Sequence, residues 1–177
     1  MAHDHSCGSG CGCDHHADTG PRPDVAQTPP PWRPAQRIRV LSIAIFRRGD
    51  HILAGPVYDD NGQIKGWRPL GGGIEFGERA IDALARELQE ETGQEITDIH
   101  HIGVMENLFT HHGETGHEIV MIYAARFANP DIYKADLVAF AEEDGIEMHA
   151  KWISLPKALA GRTQLFPAGL AERLLAK

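Results

Sequence analysis

Residues 71 to 93 read GGGIEFGERAIDALARELQEETG. Three glycines lead into a run whose acids and apolar residues are both spaced for a helix. Glu87, Glu90 and Glu91 stand at i, i+3 and i+4, so at about 100° per residue they share one arc. Ile81, Leu84, Ala85 and Leu88 follow i, i+3, i+4, i+7 and form an apolar stripe on another arc. The stretch predicts a helix over Glu78 to Thr92, stopped by Gly93, that buries one side and offers three carboxylates on another. Acid clusters on helices are most often solvated faces, so the residues upstream must decide. Glycines there allow positive φ and a close approach of main chain to a phosphate or a metal.

The formal net charge of −8 argues against nonspecific binding to nucleic acid or an anionic membrane, both of which need a basic surface. It also means that a polyphosphate ligand would need a cation's help. The chain has 177 residues, enough for one domain with a real core and a tail. No apolar run approaches the roughly 18 residues of a membrane span. The N-terminus lacks the apolar segment of a signal peptide. A cytoplasmic protein is expected.

Residues 1 to 34 differ from the rest. They hold Pro21, Pro23, Pro29, Pro30, Pro31 and Pro34 and almost no periodic apolar residues, so a disordered tail is expected there, with the domain over residues 35 to 177. The tip carries Cys7, Cys11 and Cys13 with His3, His5, His15 and His16, soft ligands suited to Zn²⁺, Ni²⁺ or copper. The spacing matches no closed zinc module, and adventitious chelation is the competing reading.

From Arg37 the pattern turns globular. RIRVLSIAIF alternates and is β-branched, which predicts a strand, with HILAGPVY as its hairpin partner across Gly49 and Asp50. DDNGQIKG reads as a loop. Strands are expected over His101 to Phe109 and His117 to Phe127, a short helix around Ala135 to Glu142, a strand at KWISL and a helix from Pro167. Strands mixed with few helices, without strict βαβ alternation, predict an α+β or mixed-sheet sandwich.

Read as one string, Gly72, five residues, Glu78, seven residues and then RELQEETG resembles the Nudix box, G-x5-E-x7-R-E-U-x-E-E-x-G-U with U aliphatic. Only the last position departs, where Gln94 replaces the aliphatic residue. The resemblance implies the family's α/β/α sandwich and a hydrolase of the MutT-like kind, cleaving a nucleoside diphosphate linked to another group. It implies that Glu87, Glu90 and Glu91, with the carbonyl of Gly71, hold Mg²⁺ or Mn²⁺. Oxygen donors around a hard cation suit that assignment. Glu78 and Arg86 are implied as a supporting pair.

Acids drawn to a metal lose basicity, so a general base outside the box is also expected. Glu118, on a predicted strand, is preferred over Glu147 in the acid-rich loop with Glu142, Glu143 and Asp144. Glu106, Asn107, Phe109 and His117 lie where the family lines its cleft, although His117 is more commonly an ordinary hairpin residue. Trp32, Trp67 and Trp152 could stack on a base, while core packing is commoner for tryptophan. A homodimer is compatible with the family. The alternatives are a nucleotide-binding sensor without catalysis and a metal-handling role of the tail.

Overall fold

The computed structural model describes residues 33–141 and 145–176, all within one compact unit. The expected tail lies outside these residues except for Arg33 and the buried Pro34. Trp32, Glu142, Glu143 and Asp144 also lie outside them.

Strand β1 (Ile38–Ile45) runs parallel to β6 (Glu114–Phe127), with Ile38 opposite His117 and Ile45 opposite Ala124. Strand β6 pairs antiparallel with β5 (Ile96–His111). A second sheet orders β2 (Arg47–Arg48), β3 (His51–Tyr58), β8 (Glu147–Ser154) and β7 (Leu137–Ala141), with β4 (Ile64–Arg68) on the end of β3. The sheets meet where Leu53 N donates to Phe46 O at 3.1 Å.

The expected hairpin between β1 and β3 is therefore only partly present. Gly49 turns the chain at φ 63°, but only Arg47 and Arg48 pair with Ile52 and His51. The cause is burial: Leu41 to Phe46 are all buried, so β1 belongs at the centre of a layer and takes other partners along its edges.

Alternate residues of β1 enter different cores. Leu41, Ile43 and Ile45 pack with Val120, Ile122 and Ile153 beneath Leu155 of α2 (Leu155–Leu159) and Leu170 of α3 (Leu170–Leu175). Ala44 and Phe46 pack with Leu53, Phe127 and Phe140 beneath Leu84 and Leu88 of α1 (Ala80–Thr92). A strand layer between α1 and the α2/α3 pair is the α/β/α sandwich that the resemblance implies, and it agrees with the mixed-sheet sandwich expected from the mixture of elements. Among the described residues no helix is long and apolar enough to cross a membrane.

Helix α1 buries Ala83, Leu84, Glu87 and Leu88, whereas Ala85 is exposed, so the stripe is rotated from the expected one and contains a glutamate. Gly93 ends the helix at φ 65°, its N–H reaching Gln89 O.

The short helix expected around Ala135 to Glu142 is replaced by a 3₁₀ turn at Pro130–Lys134, capped by the Asn129 side chain, and then by β7. In β7 the buried residues Val138 and Phe140 alternate with exposed ones, the period of a strand. The expected loop 59–66 gives way to β4 at Ile64, after Asp59 Oδ1 has accepted from Asn61 N and Gln63 N.

Candidate metal and catalytic site

The glycine segment runs along the free edge of β1. Ala44 N donates to Leu70 O and Ser42 N to Gly72 O, both at 2.9 Å, and Ile74 N returns a bond to Val40 O at 3.0 Å. Two glycines are required here for different reasons. Gly71 has φ 124°, and a Cβ on it would lie 2.2 Å from Ser42 O. A Cβ on Gly72 would lie 2.2 Å from Glu87 Oε2, because the Glu87 carboxylate occupies that space. Glu87 is 7% exposed and is thus fixed against main chain.

Arg86 organises the acids around it. Its Nε and Nη2 bond to the two oxygens of Glu78 at 2.9 and 3.0 Å, and Nη2 also reaches Gly73 O at 3.1 Å. Its Nη1 meets Glu87 Oε1 at 3.0 Å and Glu90 Oε2 at 3.2 Å. Hydrogen bonding to Arg86, then to Glu75 N, holds the Glu78 carboxyl below its usual range. Bonding to Glu78 raises the guanidinium further above its already high value. Glu91 Oε2 accepts from Gly71 N at 3.2 Å.

Glu87, Glu90, Glu91 and the Gly71 segment are therefore brought together, as expected. Among the described residues, however, no three acids or imidazoles already converge as a metal shell. Two of the box acids turn toward Arg86, the cation present, and the third toward a backbone N–H. The donor set is nonetheless all oxygen, and Glu87 sits in a cradle that only glycine leaves open, so the residues fit a hard divalent cation. The Ser42 hydroxyl, wholly buried and without a hydrogen-bond partner, lies on the α1 side of β1 next to this segment.

Glu118 is not brought to the box. It is 5% exposed and shares its alternation with Val120 and Ile122, on the α2/α3 side of the layer. Its main chain stands two strand spacings, roughly 10 Å, from the glycine segment. There it accepts from Asn107 Nδ2 at 3.0 Å and lies 3.7 Å from Arg39 Nη1. Phe109 stands on the same face, its ring covering Gly116. Glu106 and His117 pair with each other at 3.0 Å on the outer face. Glu147 is exposed at the start of β8, opposite Ala141. Trp67 and Trp152 are both core residues, with Lys151 over one and Arg48 over the other.

The sequence reading missed Arg68 and Arg39. Arg68 shares a cleft with Glu91, Phe140, Leu70 and Pro56, and among the described residues its side chain makes no hydrogen bond or ion pair. A cation next to the glycines of an acidic chain was the signal available for it.

A family model described as NUDIX domain matches residues 35–174. No curated protein matches the sequence. Among solved structures, the chain is similar to the E. coli ORF135 protein at 22% identity and a TM-score of 0.56, over 78% of this chain and 89% of that one. It is similar to the MutT protein from Methanosarcina mazei Go1 at 22% identity and a TM-score of 0.53, over 77% and 89%. A NUDIX hydrolase from Nitrosomonas europaea aligns at 20% identity and a TM-score of 0.52, over 78% and 86%. These likenesses bear on the fold, and the family model covers most of the chain. The chain belongs to the NUDIX domain family and is a Nudix-type hydrolase.

Proposed function

We propose that the protein is a pyrophosphohydrolase that uses Mg²⁺ or Mn²⁺ to cleave a nucleoside diphosphate linked to another group, with water attacking phosphorus. Nudix hydrolases are generally metal-dependent pyrophosphohydrolases acting on nucleotide-type small molecules. The observation that carries the reading is Glu87 wedged into the space left by Gly72 while Arg86 gathers Glu78, Glu87 and Glu90.

Glu87 supplies the fixed metal-binding oxygen. Glu90 would complete the set by rotating away from Arg86, the Gly71 carbonyl would add a third donor, and Glu91, held by the Gly71 N–H, stays off the metal. Bound there, the cation would neutralise phosphate charge, orient the substrate and lower the pKa of the attacking water. Arg68, lining the cleft beside Glu91, is suited to hold a phosphate oxygen. Glu91 borders the same cleft and is the acid we assign to take the proton from water. Glu118, fixed between Asn107 and Arg39 away from the box, is read as a polar group recognising substrate rather than as the base.

A panel of nucleoside diphosphate derivatives incubated with Mg²⁺, with released phosphate or nucleotide measured, tests the reading. Binding without turnover across the panel would favour the sensor alternative. The soft ligands Cys7, Cys11 and Cys13 are proposed as a separate Zn²⁺ or Ni²⁺ site in a cytoplasmic protein. Deleting residues 1–32 should lower Zn²⁺ affinity and leave turnover unchanged. The homodimer expected from the family is proposed on the resemblance alone and is tested by sedimentation.

A further inference from the structure

A pocket lies at the paired ends of β3 and β8 beside α2, lined by His51, Trp67, Lys151, Ser154, Lys157 and Thr163 over a floor of Trp152 and Ile153. It shares no lining residue with the cleft beside Glu91. Ile52, Ala54 and Ile153 face the core under α2 and α3, whereas Leu53 and Phe140 face α1. Lys151 stands opposite Ala54 in register, and Ser154 opposite His51. The pocket has a volume of about 210 Å³, room for a compact anion such as a diphosphate group.

The lining is one of donors. Among the described residues the ammonium groups of Lys151 and Lys157 make no ion pair, and the Thr163 hydroxyl makes no hydrogen bond. The Ser154 oxygen accepts from Lys157 N, which leaves its hydroxyl proton to donate outward. No carboxylate lines the pocket; the nearest one in sequence, Asp50, is taken by His51 Nδ1 at 2.6 Å. In a chain of net charge −8, two cations left without acid partners around one concavity call for an anion. Lys151 Nζ sits 4.0 Å from the centroid of the Trp67 ring, which orders the ammonium. It also covers that face of the ring, so an aromatic base stacked there would have to displace it. The chemistry therefore selects a compact anion over a nucleobase.

We infer that this pocket is a second binding site, independent of divalent metal, for a phosphate-bearing anion held by Lys151, Lys157, Ser154 and Thr163. The probe is inorganic pyrophosphate, titrated calorimetrically into the full chain in EDTA, where the box acids have no cation through which to hold it. The expected result is saturable binding to one site, accompanied by a change in tryptophan fluorescence as Lys151 shifts from Trp67. Lys151→Gln and the surface change Lys157→Gln should each weaken it by about tenfold or more. Absence of saturable binding overturns the inference, as does affinity in both lysine variants unchanged from that of the unaltered protein. Weakening by Arg68→Gln with both lysine variants unchanged would place the anion in the cleft beside Glu91 and overturn it too. None of these outcomes depends on hydrolysis, so the proposed reaction stands or falls separately.

Discussion

Arg86 grips Glu78 through two parallel hydrogen bonds, at 2.9 and 3.0 Å, while its remaining nitrogen touches Glu87 and Glu90. The acids of the box therefore carry their own counter-charge before any metal arrives. Lysine cannot reproduce a planar fork with five donors. Arg86→Lys is expected to lower stability by about 1–3 kcal/mol and turnover by more than tenfold, read by thermal unfolding and by the phosphate assay.

Removing one metal-binding charge should act on catalysis without harming the fold. Glu90 has a 61% exposed side chain that bonds to Arg86. Glu90→Gln is expected to lower turnover by about 10²-fold or more, with a melting temperature unchanged or slightly higher. Activity in the unaltered enzyme should vanish in EDTA and return with Mg²⁺. Full turnover in EDTA would sink the metal assignment.

Gly72 and Gly73 offer a paired test of the cradle. A Cβ on Gly72 collides with the Glu87 carboxylate, while one on Gly73 meets nothing within 4 Å. Gly72→Ala should displace Glu87 and abolish metal-dependent turnover, and Gly73→Ala should retain most of it. Equal activity in the two variants would show that Glu87 is not needed where it stands.

The two acids assigned different roles should separate kinetically. Glu91→Gln is expected to lower kcat by about 10²-fold or more, the usual range for a lost general base. Glu118→Gln should mainly raise KM, and Glu147→Gln, on an exposed strand end, should change little. A large fall in kcat confined to Glu118→Gln would return the base to β6.

His111 gives the protein an acid-sensitive joint. Burial first, then the charge of Lys65, whose Nζ lies 2.9 Å from His111 Nδ1, holds its pKa down from 6.5 to about 4. Between those values the unfolded chain binds a proton that the folded chain refuses, so stability is fully present above pH 6.5 and is lost as pH falls toward 4. Melting temperature should drop over that window, and His111→Gln should flatten the drop. An unchanged slope in the variant would contradict the assignment.

The box was legible because its chemistry and its helix share one periodicity. Glu87, Glu90 and Glu91 had to lie on one arc whatever surrounded them. That Glu87 is also a core residue was not legible, since its burial depends on a cavity left by Gly72, fifteen positions earlier. Partners of β1 were hidden for a similar reason: nearness across Gly49 favoured β3, while burial of both faces drew in β6 from far along the chain. Residues 135 to 141 failed as a helix because Val138 and Phe140 answer to the core beside Leu53, a tertiary demand that overrides local preference. Glu118 was found as a fixed acid on a strand, but the face it chose depends on the register between β1 and β6.

The glycine segment is a loop only by name. Leu70, Gly72 and Ile74 meet Ala44, Ser42 and Val40 at every second residue, the cadence of an antiparallel ladder. Its amides should therefore be among the slow ones in hydrogen exchange, alongside those of β1. Inserting a single residue there should be rejected as it would be in mid-strand, where slipping by one turns every side chain to the wrong face. The fixed count of residues between Gly72 and Glu78 then preserves a zipper's alignment, one that delivers the start of α1 to the acids it must present.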